Sequence, residues 1–147
     1  MASGKGNTFI NDFLKLVFNA TAIANIADNA SSSPLTNLFV ALSTGTLSAA
    51  STMATTEAAY TSYARATVAR TSGGWGAASA QVTNPVATIS FPAATGGSET
   101  ETYFSIGVNV TVGNASKVLY FGPISPQIVV TSGVTPQLTT ASSITEA

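Results

Sequence analysis

The sequence predicts a mainly β fold, a jelly-roll-like antiparallel β-sandwich with one N-terminal α-helix. Three observations lead there. From Leu38 onward, apolar residues recur with period two in short runs rich in Val, Ile, Phe and Tyr. These runs recur at about 8 to 12 residues, the spacing of a sandwich or jelly roll. Turn-forming stretches separate them, among them TSGGWG (71–76), PAATGGSE (92–99) and TVGNAS (111–116).

The elements follow in order. Residues 1–7, MASGKGN, are small and polar, as in a flexible arm. Phe9, Phe13, Leu16 or Val17, and Ala20 then recur at spacings of three and four. That places bulky groups on one face of a helix over residues 9–20, with Thr8 or Asn7 as cap and Asp12 near the positive end of its dipole. A short turn is expected near Ile23 to Ala27, before the loop DNASSSP at Asp28 to Pro34.

LFVALST (Leu38 to Thr44) is the first strand, with Leu38, Val40 and Leu42 on one side. A loop of small polar residues spans Gly45 to Thr55. YARATVAR (Tyr63 to Arg70) alternates, placing Arg65 and Thr67 opposite Ala64, Ala66 and Val68. Further strands are expected at Ala80 to Thr83, Ala87 to Phe91, Glu101 to Val108, Lys117 to Pro123, Gln127 to Val130 and Thr135 to Leu138. No repeat or linker divides residues 8–147, so they form a single domain.

Charge is scarce. Five basic and six acidic residues in 147 give a net charge of -1 and a charged fraction of 7%, against about 25% in ordinary soluble domains. Ser and Thr supply 40 residues and Ala 24. A surface of small neutral groups does without the repulsion that keeps free proteins apart; it suits a chain built to be assembled, here as a homo-oligomer, dimer or trimer. The basic residues Lys5, Lys15, Arg65, Arg70 and Lys117 are scattered, which argues against nucleic acid or an anionic membrane as partner. No run reaches the ~18 apolar residues of a membrane span. The start, MASGKGNTF, lacks the layout of a secretory signal, so synthesis in the cytoplasm is expected.

Chemistry is equally scarce. With no His and no Cys, a serine nucleophile lacks its usual base and a soft metal its usual ligands. Glu99 and Glu101 are the only close acidic pair. At i and i+2 on a strand they share a face and repel each other, as on a solvated strand end; a weak divalent-cation site is the lesser alternative. The glycine pairs at 73–74 and 96–97 lack a phosphate-loop pattern and read as turns. Trp75 reads as a core residue, with a ligand-stacking aromatic or a subunit contact as the alternatives. Arg65 and Arg70 read as solvated strand-face charges, with pairing across subunits to Glu57, Glu99 or Glu101 as the alternative. No enzyme, cofactor or metal site is expected. Candidate subunit contacts are Phe9, Phe13, Leu47, Met53, Arg65, Glu99 and Glu101.

The succession FINDFLKLVFN, SPLTNLFVALSTG, EAAYTSYARATVARTSGGW, ATISFPAATGG, ETYFSIGV and VLYFGPIS resembles a family of small virion proteins of tailed bacteriophages, often labelled tail-fibre proteins. Some of these are capsid cement, or decoration, proteins. The resemblance covers about residues 8 to 140 and departs at GTLSAAS (45–51), where the family carries an acidic turn. It implies a capsid cement protein on the outer surface of the virion, bound to the major capsid protein and stabilising the head. A tail-associated fibre or receptor-binding module is the alternative.

Overall fold

The computed structural model describes residues 4–10, 12, 22–26, 35–76 and 82–145. Nine strands appear in them: β1 (Gly4–Lys5), β2 (Asn37–Ser43), β3 (Ala66–Ala69), β4 (Val82–Thr83), β5 (Ile89–Ser90), β6 (Glu99–Gly107), β7 (Val118–Val130), β8 (Gln137–Leu138) and β9 (Ile144–Thr145). Five join in one antiparallel sheet of order β1-β7-β6-β2-β3. Two antiparallel ribbons, β4 with β9 and β5 with β8, lie outside it.

The period-two pattern decides which face each side chain takes. On one face of the sheet, Val40, Leu42, Phe104 and Ile106 pack against Ile89, Phe91, Leu138 and Ile144 from the ribbon segments. That contact between layers makes the fold an antiparallel β-sandwich. Leu38 and Trp75 pack at the margin of this core, as their sequence positions predicted. The other face is covered too: Ala41, Val118 and Phe121 pack with Leu47 and Met53 from the loop after β2. A sheet buried on both faces needs no outward polar row at its centre, which is why β2 reads as the near-continuous apolar run LFVAL.

Several elements differ from the sequence reading. Residues 4–5 form an edge strand on Tyr120 and Phe121 instead of a free arm. Helical residues begin at Asn7, and the Ile10 N–H donates to the Gly6 carbonyl at 3.1 Å. Residues 7–10 and 12 are helical; the rest of the expected helix lies outside the described residues. Tyr63 to Arg65 leave the expected strand, so β3 starts only at Ala66.

The two strands expected on either side of Ser125–Pro126 are one, β7. Its halves pair with β6 in different registers, Glu101 with Ile128 and Tyr103 with Pro123. The residues between bulge outward, so Pro126 interrupts the ladder without ending the strand.

A second irregularity sits at Gly107. A Cβ there would lie 2.2 Å from the Met53 Sδ and 2.4 Å from the Lys117 carbonyl oxygen. The first neighbour can swing away; the second is main chain and cannot without moving β7. Gly107→Ala is therefore expected to lower stability by about 1 to 3 kcal/mol in urea unfolding. An unchanged unfolding midpoint would show that β7 yields freely there.

Candidate partner-binding surface

Arg65 and Glu57 form the most connected polar node among the described residues. After β2 the chain makes the loop 44–56 and returns to the sheet edge, where the Ala58 N–H donates to the Leu42 carbonyl at 2.9 Å. This return sets Glu57 beside Ser43. The guanidinium of Arg65 grips the Glu57 carboxylate with both prongs, Nε to Oε1 at 2.6 Å and Nη2 to Oε2 at 2.8 Å. Both side chains are almost wholly buried.

The other hydrogen-bonding groups of the pair are engaged as well, one Nη1 hydrogen of Arg65 meeting the Met53 Sδ at 3.7 Å. Arg65 also donates to the carbonyls of Asn109 (2.9 Å) and Asn114 (3.1 Å). Glu57 accepts from the Tyr63 hydroxyl (3.2 Å) and the Gly113 N–H (2.8 Å). The Tyr63 hydroxyl in turn accepts from the Leu42 N–H at 3.0 Å. Burial first, and then the nearby Glu57 carboxylate, push the Tyr63 hydroxyl far up from its ordinary pKa, so it remains a donor.

The consequence lies at the loop 108–117. Three main-chain groups of this loop, at Asn109, Gly113 and Asn114, are held by the buried pair. Val110 and Val112 stand exposed on it at 52% and 43%. Because the main chain around them is held at three points, both valines keep a fixed position at the loop.

Glu99 and Glu101 make a second node, in β6. Their cross-strand neighbours are Val130 and Ile128, so both carboxyls face the core side of the sheet. Glu99 accepts the N–H groups of Ala59 (2.9 Å) and Tyr60 (2.8 Å). Glu101 is fully buried, and among the described residues the only polar group that meets its carboxyl is the Glu99 carboxyl, to which it donates a hydrogen bond when protonated. Burial first, and then the neighbouring Glu99, push its carboxyl from the usual 4.5 up to about 8. At neutral pH it is held mainly as the acid. Burial and then the two carboxyls raise Tyr60 to about 12, and its hydroxyl donates to the Pro92 carbonyl at 2.9 Å.

The candidate contacts thus separate. Leu47, Met53, Arg65 and Glu101 are buried in this chain and offer no surface to a second subunit. Arg65 is not a solvated charge; its pairing with Glu57 is within the chain, because the loop 44–56 delivers Glu57 to it. The solvated strand end expected at Glu101 is corrected likewise, since β6 turns that carboxyl toward the core. Phe9 is half-buried and meets Tyr120 edge-on at 5.8 Å. Phe13 lies outside the described residues. Arg70 is exposed but donates to the carbonyls of Asn25, Ile26 and Leu35, gathering the two ends of the segment between them. Lys117 pairs with Asp12.

Among the described residues no group of three or more acidic side chains could hold a metal ion. The valines at 110 and 112 escaped the sequence reading because TVGNAS is turn chemistry. The signal was the run Val108, Val110, Val112, which extends period two past the strand.

Comparison with known families completes the picture. A family model described as Podophage GP4 fiber I protein gp80 matches residues 11–145. The chain belongs to this family. The fiber I family is one of phage virion structural proteins, and the match spans the sandwich, both acidic nodes and the pinned loop. No curated protein matches the chain.

Two outcomes test the geometry of this fiber-family chain. Arg65→Met leaves Glu57 buried without its cation and is expected to cost about 3 to 5 kcal/mol, while the double change Arg65→Met with Glu57→Leu removes the unpaired charge and recovers part of the loss, the Tyr63 hydroxyl and the Gly113 N–H still lacking their acceptor. Losses below about 1 kcal/mol in the single variant would mean that the pair behaves as an exposed one. For Glu101, the folded form keeps a proton between pH 4.5 and about 8 that the unfolded chain has released. Stability therefore falls across that window, by on the order of a few kcal/mol, and is level below it. Glu101→Gln should flatten the fall and unfold later than wild type at pH 8. Equal stability of wild type at pH 5 and pH 8 would contradict the buried acid.

Proposed function

We propose that the chain is a non-enzymatic structural subunit of a virion fibre. The match to a fiber I protein over residues 11–145 carries this reading. Two features of the fold support it. Among the described residues, Arg65, Glu57, Arg70, Glu99, Asp12 and Lys117 engage groups of their own chain, which leaves neutral side chains and main chain as the larger part of the surface open to neighbours. The pinned Val110 and Val112 supply a fixed apolar point for such a contact.

A capsid cement subunit bound to the major capsid protein would share the neutral surface, and copy number separates the two. Fibre subunits number tens or fewer per particle and take antibody label at the fibres. Hundreds of copies with label over the head would instead assign the chain to the capsid surface.

Contacts of this type depend weakly on salt. Raising NaCl from 0.15 to ~1 M shortens the screening length from about 8 to about 3 Å and weakens ionic contacts, leaving apolar and main-chain ones in place. The chain should stay on the purified virion through that range, as read by sedimentation and gel analysis of the pellet. Release of most copies by salt alone would overturn the neutral interface.

A further inference from the structure

β6 runs past its partner β2 at one end. β2 pairs with β6 as far as Ser43 opposite Tyr103, so among the described residues 99–101 have a strand, β7, on one side only. The segment 58–62 lies against this end without a ladder. A side chain fastens it: Glu99 Oε1 accepts the N–H groups of Ala59 and Tyr60, at 2.9 and 2.8 Å. The segment is tied in turn to the turn 92–97, the Thr61 N–H donating to the Gly96 carbonyl at 3.0 Å and the Thr95 N–H to the Thr61 carbonyl at 3.1 Å. The outer anchors of the two pieces are the Ala58 N–H on the Leu42 carbonyl and the Ala94 N–H on the Val134 carbonyl. Within them Ser62 is held at a φ of 79°, a left-handed conformation that a serine keeps only while its surroundings impose it.

Glu101 stands next to this fastening, two residues on and on the same face of β6. Its carboxyl is fully buried and meets that of Glu99. Tyr60 is the titratable group that the segment 58–62 brings to the two carboxyls. β7 contributes Ile128 and Val130, and the turn 92–97 (PAATGG) carries nothing that titrates. Arg65 is engaged by Glu57, and among the described residues no Lys or Arg pairs with either carboxyl. One proton between the carboxyls leaves a single negative charge, which the Ala59 and Tyr60 N–H groups stabilise. Without that proton two like charges share a site that has no cation, and one of them has to leave it. Both exits break the fastening: Glu99 leaves by releasing Ala59 and Tyr60, Glu101 by displacing Tyr60 beside it.

We propose that Glu99 and Glu101 form a proton-operated latch: with the shared proton they fasten residues 59–62 and 95–97 to the end of β6, and without it this cap opens locally while the five-stranded sheet stays folded. In the closed form burial and the Glu99 carboxyl hold the proton up to about pH 8, and an exposed Glu101 gives it up at the usual 4.5. Closing therefore takes up a proton between those values. The latch is firmest below pH 4.5 and loosens as the pH rises to about 8. Opening uncovers Tyr60, which the closed form buries, so the proton decides whether this end of the sandwich presents an aromatic side chain. The Arg65–Glu57 pair lies outside the cap and stays closed in both forms.

The test is amide hydrogen exchange of the full chain at pH 6 and pH 8, each rate taken relative to the intrinsic rate at its pH, with and without ~1 M urea. In wild type the protection of Ala59 and Tyr60 is expected to fall at least tenfold from pH 6 to pH 8. It should stay below that of Phe104 and Ile106 in β6 and be insensitive to the urea, as a local opening is. Glu101→Gln keeps a donor to Glu99 and cannot titrate, so its protection at Ala59 and Tyr60 should be the same at both pH values. Three results overturn the proposal: protection in wild type that does not change with pH, a fall that persists in folded Glu101→Gln, or a urea response at Ala59 and Tyr60 as strong as at Phe104 and Ile106, which makes the opening global. If Glu101→Gln does not fold, the pH and urea responses of wild type decide alone.

Discussion

The buried ion pair of Arg65 and Glu57 is the constraint on which the rest of the architecture depends. The sheet itself is secured by apolar packing on both faces, but three irregular segments have to be fixed to it: the loop 44–56, the crossing at 60–65 and the loop 108–117. Those segments meet at the pair. In a chain with only 11 charged residues, placing two of them out of water is a large commitment. Desolvation of such a pair is repaid only when the geometry is excellent and all remaining hydrogen-bonding capacity is met. Both conditions hold here, with a two-pronged contact and four further partners from main chain and Tyr63. What this yields is definition of shape at the loop end of the sandwich, where the sequence is small, polar and otherwise free to choose among conformations.

That same economy shaped what could be read from the sequence. β2 was legible almost to the residue because Leu38, Val40 and Leu42 alternate, and alternation reports directly on a pleated strand with one face in a core. The segment Tyr63 to Arg70 alternates equally well, yet only Ala66 to Ala69 pair, because Tyr63 and Arg65 are drawn off to Leu42 and Glu57. Pro126 read as a strand end, and tertiary pairing with β6 overrode it by a bulge. β1 and β9 have two residues each and no pattern of their own; their partners recruit them. The second core was hidden for a different reason: Leu47 and Met53 sit in a stretch whose composition is that of a loop, and only the sheet face beneath shows that they are covered.

Charges misled most. A Glu pair on a strand is normally solvated, and nothing in the local sequence says that β6 turns Glu99 and Glu101 inward opposite Val130 and Ile128. Arg65 was likewise assigned to solvent or to a neighbouring subunit by period alone. Its true partner, Glu57, is eight residues away and arrives only through the path of the loop 44–56. The function was legible as a class rather than as a place: scarcity of charge and of reactive groups pointed to an assembled structural protein, and membership of the fiber I family agrees with a virion component. The place of β3 at the end of the five-stranded sheet could not be read from sequence, since an edge is a property of sheet order.

The central claim is that a buried charge pair, and not packing, holds the exposed loop 108–117 in place. The most direct measurement is amide hydrogen exchange at Gly113, whose N–H sits in an exposed turn and donates to Glu57 Oε2 at 2.8 Å. If the pair pins the loop, this amide exchanges far more slowly than those of its exposed neighbours Val112 and Ala115, approaching the rates of the sheet. Exchange at Gly113 as fast as at Val112 and Ala115 would contradict the account.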